Sequence, residues 1–172
     1  MAISSALRAA YDRALKQSDA NLALAADNAL LTKKVDRISH WTVAQHLEHI
    51  ALVNLGIITR VHEALKATPE NSSGRVSLLG CVVLWTGTIP RGRGKAPVPT
   101  MPQLTSFEDV RKKLTAARET LVALEAQLPE VQTARGRSPH PALGMFTAAH
   151  WVRFIPIHTH HHDKIVHEIR HA

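Results

Sequence analysis

The stretch "HTHHHDK", residues 158–164, puts four histidines into five positions near the end of the chain. Imidazole binds divalent transition metals and titrates near neutrality, so metal ligation and proton transfer are the two chemistries such a cluster offers. Spacing alone is weak, because the chain has 12 histidines in 172 residues and His167 with His171 forms another pair four apart. A purification tag does not fit either, since the run is interrupted and continues into a patterned helix. The direction of each ring is more informative. With His158 at zero on a helix turning by about 100° per residue, Trp151 and Ile169 fall near +20°, Ile165 near −20°, Phe154 near −40° and Ile155 near +60°. On the same wheel His162 lies at about +40°, inside the apolar arc, and His161 sits on its edge at about −60°. His160 and His167 point roughly the opposite way.

Two inward imidazoles one turn apart are costly to bury unless something satisfies their nitrogens. A divalent cation does so, since neutral imidazole is its common ligand and an i, i+4 pair bites from one helix face. A third ligand is expected from another helix, and "WTVAQHLEHI" offers His46 and His49. The wheel favours His46, nearer the centre of its apolar arc, over His49 at the margin beside Val53 and Gly56; the pattern by itself leaves the choice open. His161, His46 and Glu48 are candidate supporting groups or bases, with ordinary structural roles as the competing reading.

Other chemistry is poorly supported. "GTIPRGRGK" fails the phosphate-loop pattern, because Lys95 is followed by Ala96 and position 89 is not glycine. The formal charge is +7, and no acidic residue occurs between Asn71 and Phe107, where Arg75, Arg91, Arg93 and Lys95 fall. Charge concentrated in connecting segments suits an anionic small molecule at a loop rim, with Arg91, Arg93 and Lys95 as its binding candidates, or a merely solvated basic loop. Three Trp, one Tyr and three Phe, mostly at apolar helix positions, are too few for a stacking surface, so no specific nucleic-acid partner is expected.

Four long helices must position these residues, and nothing in the sequence looks like a sheet. The first spans roughly Ser4 to Ala26, with Leu7, Tyr11, Ala14, Leu15 and Leu22 at helical spacing. After a polar connection the second runs from about Val43 to Ala67, opened by a Thr42–Gln45 capping box and ended by Pro69 and "ENSSGR". Its apolar line is Val43, Leu47, Ile50, Ile57, Val61 and Leu65. The third starts at "TSFEDV", buries Val110, Leu114, Leu121, Leu124 and Leu128, and is expected to stop at Pro129. The fourth begins at Thr147, stapled by Phe146 and Trp151, with Pro156 expected to kink it or displace one turn. Residues 68–104 form a long connection containing a short helix at "VSLLGCVVLWTG", and "SPHPALG" reads as a turn-rich lead-in to the last helix. The prediction is an all-α fold: a four-helix bundle with a long crossover between helices 2 and 3, as one domain over residues 1–172.

No apolar run approaches the ~20 residues of a membrane span, so no membrane partner is expected. Arg8 and Asp12 interrupt the segment where a signal peptide needs an apolar stretch; a transit peptide is the minority alternative. Cys81 is the single cysteine, so no disulfide closes within the chain, and a reducing cytoplasm is the simplest compartment.

These motifs carry a resemblance. "W-T-x-x-Q-x-L-x-H-I", Trp41 to Ile50, resembles the second-helix signature of the DinB-like superfamily of metal-binding four-helix bundles. "HPALGMFTAAHWVRFIPIHTHHHDKI" resembles that group's last helix, with its HP-x-x-G lead-in and H-x-x-H-H core, and "IPRGRGKAPVPTMP" is similar to the crossover of one branch. The resemblance covers nearly the whole chain. It implies metal ligands at His49, His158 and His162, choosing His49 over the wheel's His46. The R-G-Q that often follows the double histidine is replaced here by Asp163, Lys164 and Ile165, which bears on substrate rather than ligands.

The function the resemblance implies is a metal-dependent enzyme whose three-histidine site activates a thiol or water for transfer to, or hydrolysis of, a small substrate. The expected cofactors are a divalent metal, zinc or nickel ahead of iron or copper, and a low-molecular-weight thiol, which Arg91, Arg93 and Lys95 would steer if anionic. The alternative is a non-catalytic, stress-related bundle with a structural metal or none. A homodimer is expected on either reading.

Overall fold

The computed structural model describes residues 3–68, 70, 72–92 and 98–172. Four long helices dominate: α1 (Ser5–Leu24), α3 (Val43–Lys66), α5 (Phe107–Leu124) and α7 (Ala148–His171). Between them lie α2 (Asn28–Thr32), α4 (Leu78–Thr86) and α6 (Leu128–Thr133), with a short hairpin of β1 (Arg137–His140) and β2 (Gly144–Thr147). The long helices pack around two contiguous apolar clusters, with α3 and α1 each lying against both α5 and α7.

The helix starts follow from local chemistry. Thr42 and Gln45 exchange side-chain and backbone hydrogen bonds at the head of α3, the reciprocal capping predicted from T-x-x-Q. Thr147 caps α7 in the same way with His150, and the Phe146 and Trp151 rings lie 5.1 Å apart as the staple requires. The expected apolar lines of α3 and α7 are buried except for half-buried Leu65. On α1 the buried line runs Leu7, Tyr11, Ala14, Ser18, Asn21, with the expected Leu15 and Leu22 half-buried and packed against the core beside it.

Three expectations are corrected. The chain is mostly helical, as the all-α reading holds, but the expectation of no sheet is overturned by an antiparallel hairpin, in which Ser138 pairs with Phe146 and Pro139 with Met145. Arg75 and Ser77, in the connection between α3 and α5, extend it: Met145 donates to the Arg75 carbonyl at 3.0 Å and the Ser77 N–H to the Leu143 carbonyl at 2.8 Å. Gly144, at φ 86°, stands at this junction, where a Cβ would lie 2.5 Å from the Arg75 oxygen. Pro129 does not stop the third helix; that helix ends at Leu124, and Pro129 opens α6, where its missing N–H costs nothing. The polar connection after α1 holds α2, which buries Leu30 and Leu31 under an Asp27 cap. Pro156 leaves α7 helical on both sides. Pro69, Arg93 and Lys95 lie outside the described residues.

Candidate metal centre

His49 on α3 and His158 and His162 on α7 meet where these two helices cross. One ring nitrogen of each lies within 4.8 Å of the others, which makes this a group able to hold a metal ion. His49 and His162 are 3% and 8% exposed, and His158 is half-buried. The inward pair read from the α7 wheel therefore faces the histidine pair of α3.

The surrounding contacts decide what each ring can offer. His49 Nδ1 lies 2.7 Å from the Thr100 carbonyl, which can only accept, so His49 carries its proton there and leaves Nε2 as a lone pair. His162 Nδ1 lies 3.1 Å from His46 Nδ1, and His46 Nε2 lies 2.9 Å from Ser39 Oγ. For His162 to present Nε2, its Nδ1–H must donate to His46, whose own proton then sits on Nε2 and is donated to Ser39. That chain is self-consistent and neutral throughout. His158 Nδ1 is buried with no hydrogen-bond partner among the described residues. Three neutral rings that each bring a nitrogen within 4.8 Å of the others are a donor set that suits a divalent ion, so the residues fit the group.

The electrostatics agree. Burial, then the neighbouring imidazoles, hold His158 and His162 well below the ordinary histidine range. Burial also lowers His49 despite the opposing Thr100 contact, and pushes His46 down to about 4, with smaller contributions from His49, His161 and Arg91. These rings are neutral at physiological pH, the state in which imidazole ligates. Trp41 covers the cluster, its ring centroid 5.3 Å from His46, 5.1 Å from His49 and 6.2 Å from His162.

The other candidates fall into place around this centre. His46 is a neighbour of His162 and stands outside the convergent trio, so the wheel's preference for it is not what the geometry favours. His161 sits at the rim, its Nδ1 3.2 Å from the Ile89 carbonyl. Glu48 is fully buried but turned to α5: Lys113 Nζ lies 2.6 Å from Oε1, and the Leu104 N–H donates to Oε2 at 2.8 Å. Leu104, with φ 44°, is thereby fixed in left-handed backbone. Thr100 and Leu104, in the connection between α3 and α5, are thus tied to adjacent residues of α3. Arg91 is already paired, its guanidinium forming two hydrogen bonds of 2.8 and 2.7 Å to Glu168 on α7.

Sequence reasoning missed Trp41 as the cover and Ser39 and Thr100 as supporting partners. Trp41 stood in the quoted motif, one residue before the cap, and could have been found by projecting it onto the histidine face. The Thr100 contact uses a backbone carbonyl, which no residue type announces.

A mostly helical fold with a buried histidine trio shared by two helices defines a class of candidate metal-binding proteins. The chain belongs to the DinB superfamily, whose family model matches residues 7–166. No curated protein and no solved structure matches it significantly.

Proposed function

We propose that this protein is a metal-dependent enzyme of the DinB-like type, in which His49, His158 and His162 hold a divalent ion. On this reading α1, α3, α5 and α7 form a four-helix bundle, and residues 67–106 are its long crossover. The observation that carries the proposal is the convergence of one ring nitrogen from each of His49, His158 and His162, all within 4.8 Å of one another. An all-imidazole set suits zinc or nickel first and iron or copper next. Such an ion, held by three protein ligands, supplies Lewis acidity at an open position and lowers the pKa of a thiol or water placed there.

The chain's own groups do the rest. The Thr100 carbonyl orients the His49 ring, and His46 with Ser39 sets the proton position on His162. Trp41 excludes solvent from one side. The substrate class is a small electrophile together with an anionic low-molecular-weight thiol. Arg91 can serve that thiol only by exchanging its exposed partner Glu168, a pairing worth little in water. Arg93 and Lys95 remain candidates from charge alone. One observation favours the non-catalytic alternative: Glu48, the acid next to His49, is committed to Lys113 and the Leu104 N–H, leaving it no free oxygen for proton transfer at the cluster.

Metal analysis of untagged protein tests the site. Near-stoichiometric divalent metal is expected in the wild type and none in the His158→Ala/His162→Ala double variant; undiminished metal in that variant refutes the assignment. Metal-loaded protein is then assayed with a panel of low-molecular-weight thiols and an electrophile. Turnover supports the enzyme, and inertness across the panel favours a structural metal.

A further inference from the structure

The helix α4 carries an apolar face that the fold leaves uncovered. Leu78 is 89% exposed, Trp85 86%, Val82 53% and Leu79 48%; these are four of the seven large hydrophobic residues exposed among those described. On a helix turning by about 100° per residue, Leu78, Cys81, Val82 and Trp85 stand at about 0°, −60°, +40° and −20°, a single stripe. The opposite face, Gly80, Val83 and Leu84, is buried.

This face is presented rigidly. Ser77 caps the helix by accepting from the Gly80 N–H, and Gly87, at φ 65°, ends it in left-handed backbone. Gly80 lets α4 press onto the hairpin, since a Cβ there would lie 2.5 Å from the Leu143 carbonyl oxygen. The Arg153 guanidinium of α7 donates to the Leu84 carbonyl at 3.1 Å. The exposure therefore belongs to a docked helix with both ends closed.

We propose that this stripe is the surface through which two copies of the chain pair, α4 against α4, about a two-fold axis. Three features select a second copy as the occupant. The stripe positions 78, 81, 82 and 85 are spaced three, one and three apart, a sequence that reads the same in both directions. Laid antiparallel on its copy, Leu78 of one chain meets Trp85 of the other, with Cys81 and Val82 at the axis, as an isologous contact requires. The area suffices. Trp85 exposes about 200 Å² and the stripe about 500 Å², so two copies bury about 1,000 Å² from these side chains before any rim is counted, the lower bound of a specific interface. The charge also permits it: no charged residue occurs between Arg75 and Arg91, so two chains of formal charge +7 meet without opposing like charges on the helix. The pairing does not depend on the metal centre, which lies on α3 and α7.

Sedimentation equilibrium of the 172-residue chain across a micromolar dilution series tests the proposal. The wild type is expected at twice 18.9 kDa. Leu78→Glu and Trp85→Glu are expected at the monomer mass, with unchanged helical circular dichroism because both side chains point to solvent. Val122→Glu, at an exposed apolar residue of α5, is expected to remain dimeric. Cys81, the single thiol and exposed, gives a second readout: a short bis-maleimide should link the wild-type dimer and fail with Trp85→Glu. A monomeric wild type, or a dimer that survives both glutamate substitutions, overturns the assignment. So does binding to vesicles of equal parts phosphatidylcholine and phosphatidylserine that is lost in Trp85→Glu while the wild type sediments as a monomer, since the stripe would then be a lipid-facing surface.

Discussion

Histidine is packed at two places along α7, and the two differ in what meets the ring nitrogens. At the hairpin, His140 packs against Trp151 with ring centroids 5.3 Å apart and edge-on to Phe154 at 5.0 Å. Its Nδ1 accepts from the N–H groups of both Ala142 and Leu143 at 3.1 Å. Further along, His49, His158 and His162 face one another, and His158 Nδ1 has no hydrogen-bond partner among the described residues. Both groups are held neutral by desolvation, with His140 pushed down to about 4. The lesson is that a depressed histidine pKa does not mark a site. What separates the two is that three rings converge at one place, where His158 Nδ1 has no hydrogen-bond partner among the described residues, while His140 stands alone and is served by two backbone N–H groups.

The sharpest break between them is substitution. His158→Ala/His162→Ala should abolish metal binding outright, whatever its cost in metal-free stability. His140→Ala should do the reverse: full metal stoichiometry, but a loss of about 3 kcal/mol from the packing void and two abandoned N–H groups. For a chain of this size that is a fall of about 6–12 °C in Tm by calorimetry. A His140→Ala protein without metal would erase the distinction.

Loading provides the next contrast. Wild type with metal at a hundredfold excess over Kd should gain about 2.7 kcal/mol on unfolding, and the double variant nothing. Thermal melts with and without chelator read this directly.

The support around the centre is a smaller effect. His46→Ala removes the acceptor for His162 Nδ1–H and should weaken metal affinity by about 10–100-fold with stoichiometry retained, measured by competition with a chromophoric chelator. Unchanged affinity would reduce His46 to packing.

Acid should act on both groups in the same direction. His140 and His46 have native pKa values of about 4 against an ordinary 6.5, so the unfolded chain binds protons more readily in that interval. Metal-free stability should be full above pH 6.5 and decline as pH falls toward about 4, the direction for a lowered pKa. A flat urea midpoint across that window would contradict the burial of these rings. The smallest expected effect is Arg91→Ala, within about 0.5 kcal/mol of wild-type stability because Arg91–Glu168 is an exposed pair.

What could be read in advance follows from how local each signal is. Thr42, Gln45, Thr147 and the Phe146–Trp151 pair lie within a few residues of the helix ends they define, so the starts of α3 and α7 were legible. The α7 wheel found His158 and His162 because helical periodicity fixes which rings share a face. The hairpin was not legible: its strands are four residues long and β1 contains Pro139, so no alternation announces them. Pro129 misled because the same residue ends one helix and opens another. The choice of His49 over His46 came from family likeness, since both are almost wholly buried and only the position of α7 separates them. Arg91 looked free within an acid-poor segment, but Glu168 reaches it from α7.

The centre draws its ligands from α3 and α7, helices in opposite halves of the chain, and this gives it a place in time. More than a hundred residues separate His49 from His158, so their meeting closes a long loop and the trio is expected to be completed late, after the folding barrier is largely crossed. An ion bound there would leave the rate of folding almost unchanged and slow the rate of unfolding, acting as a latch on the finished molecule.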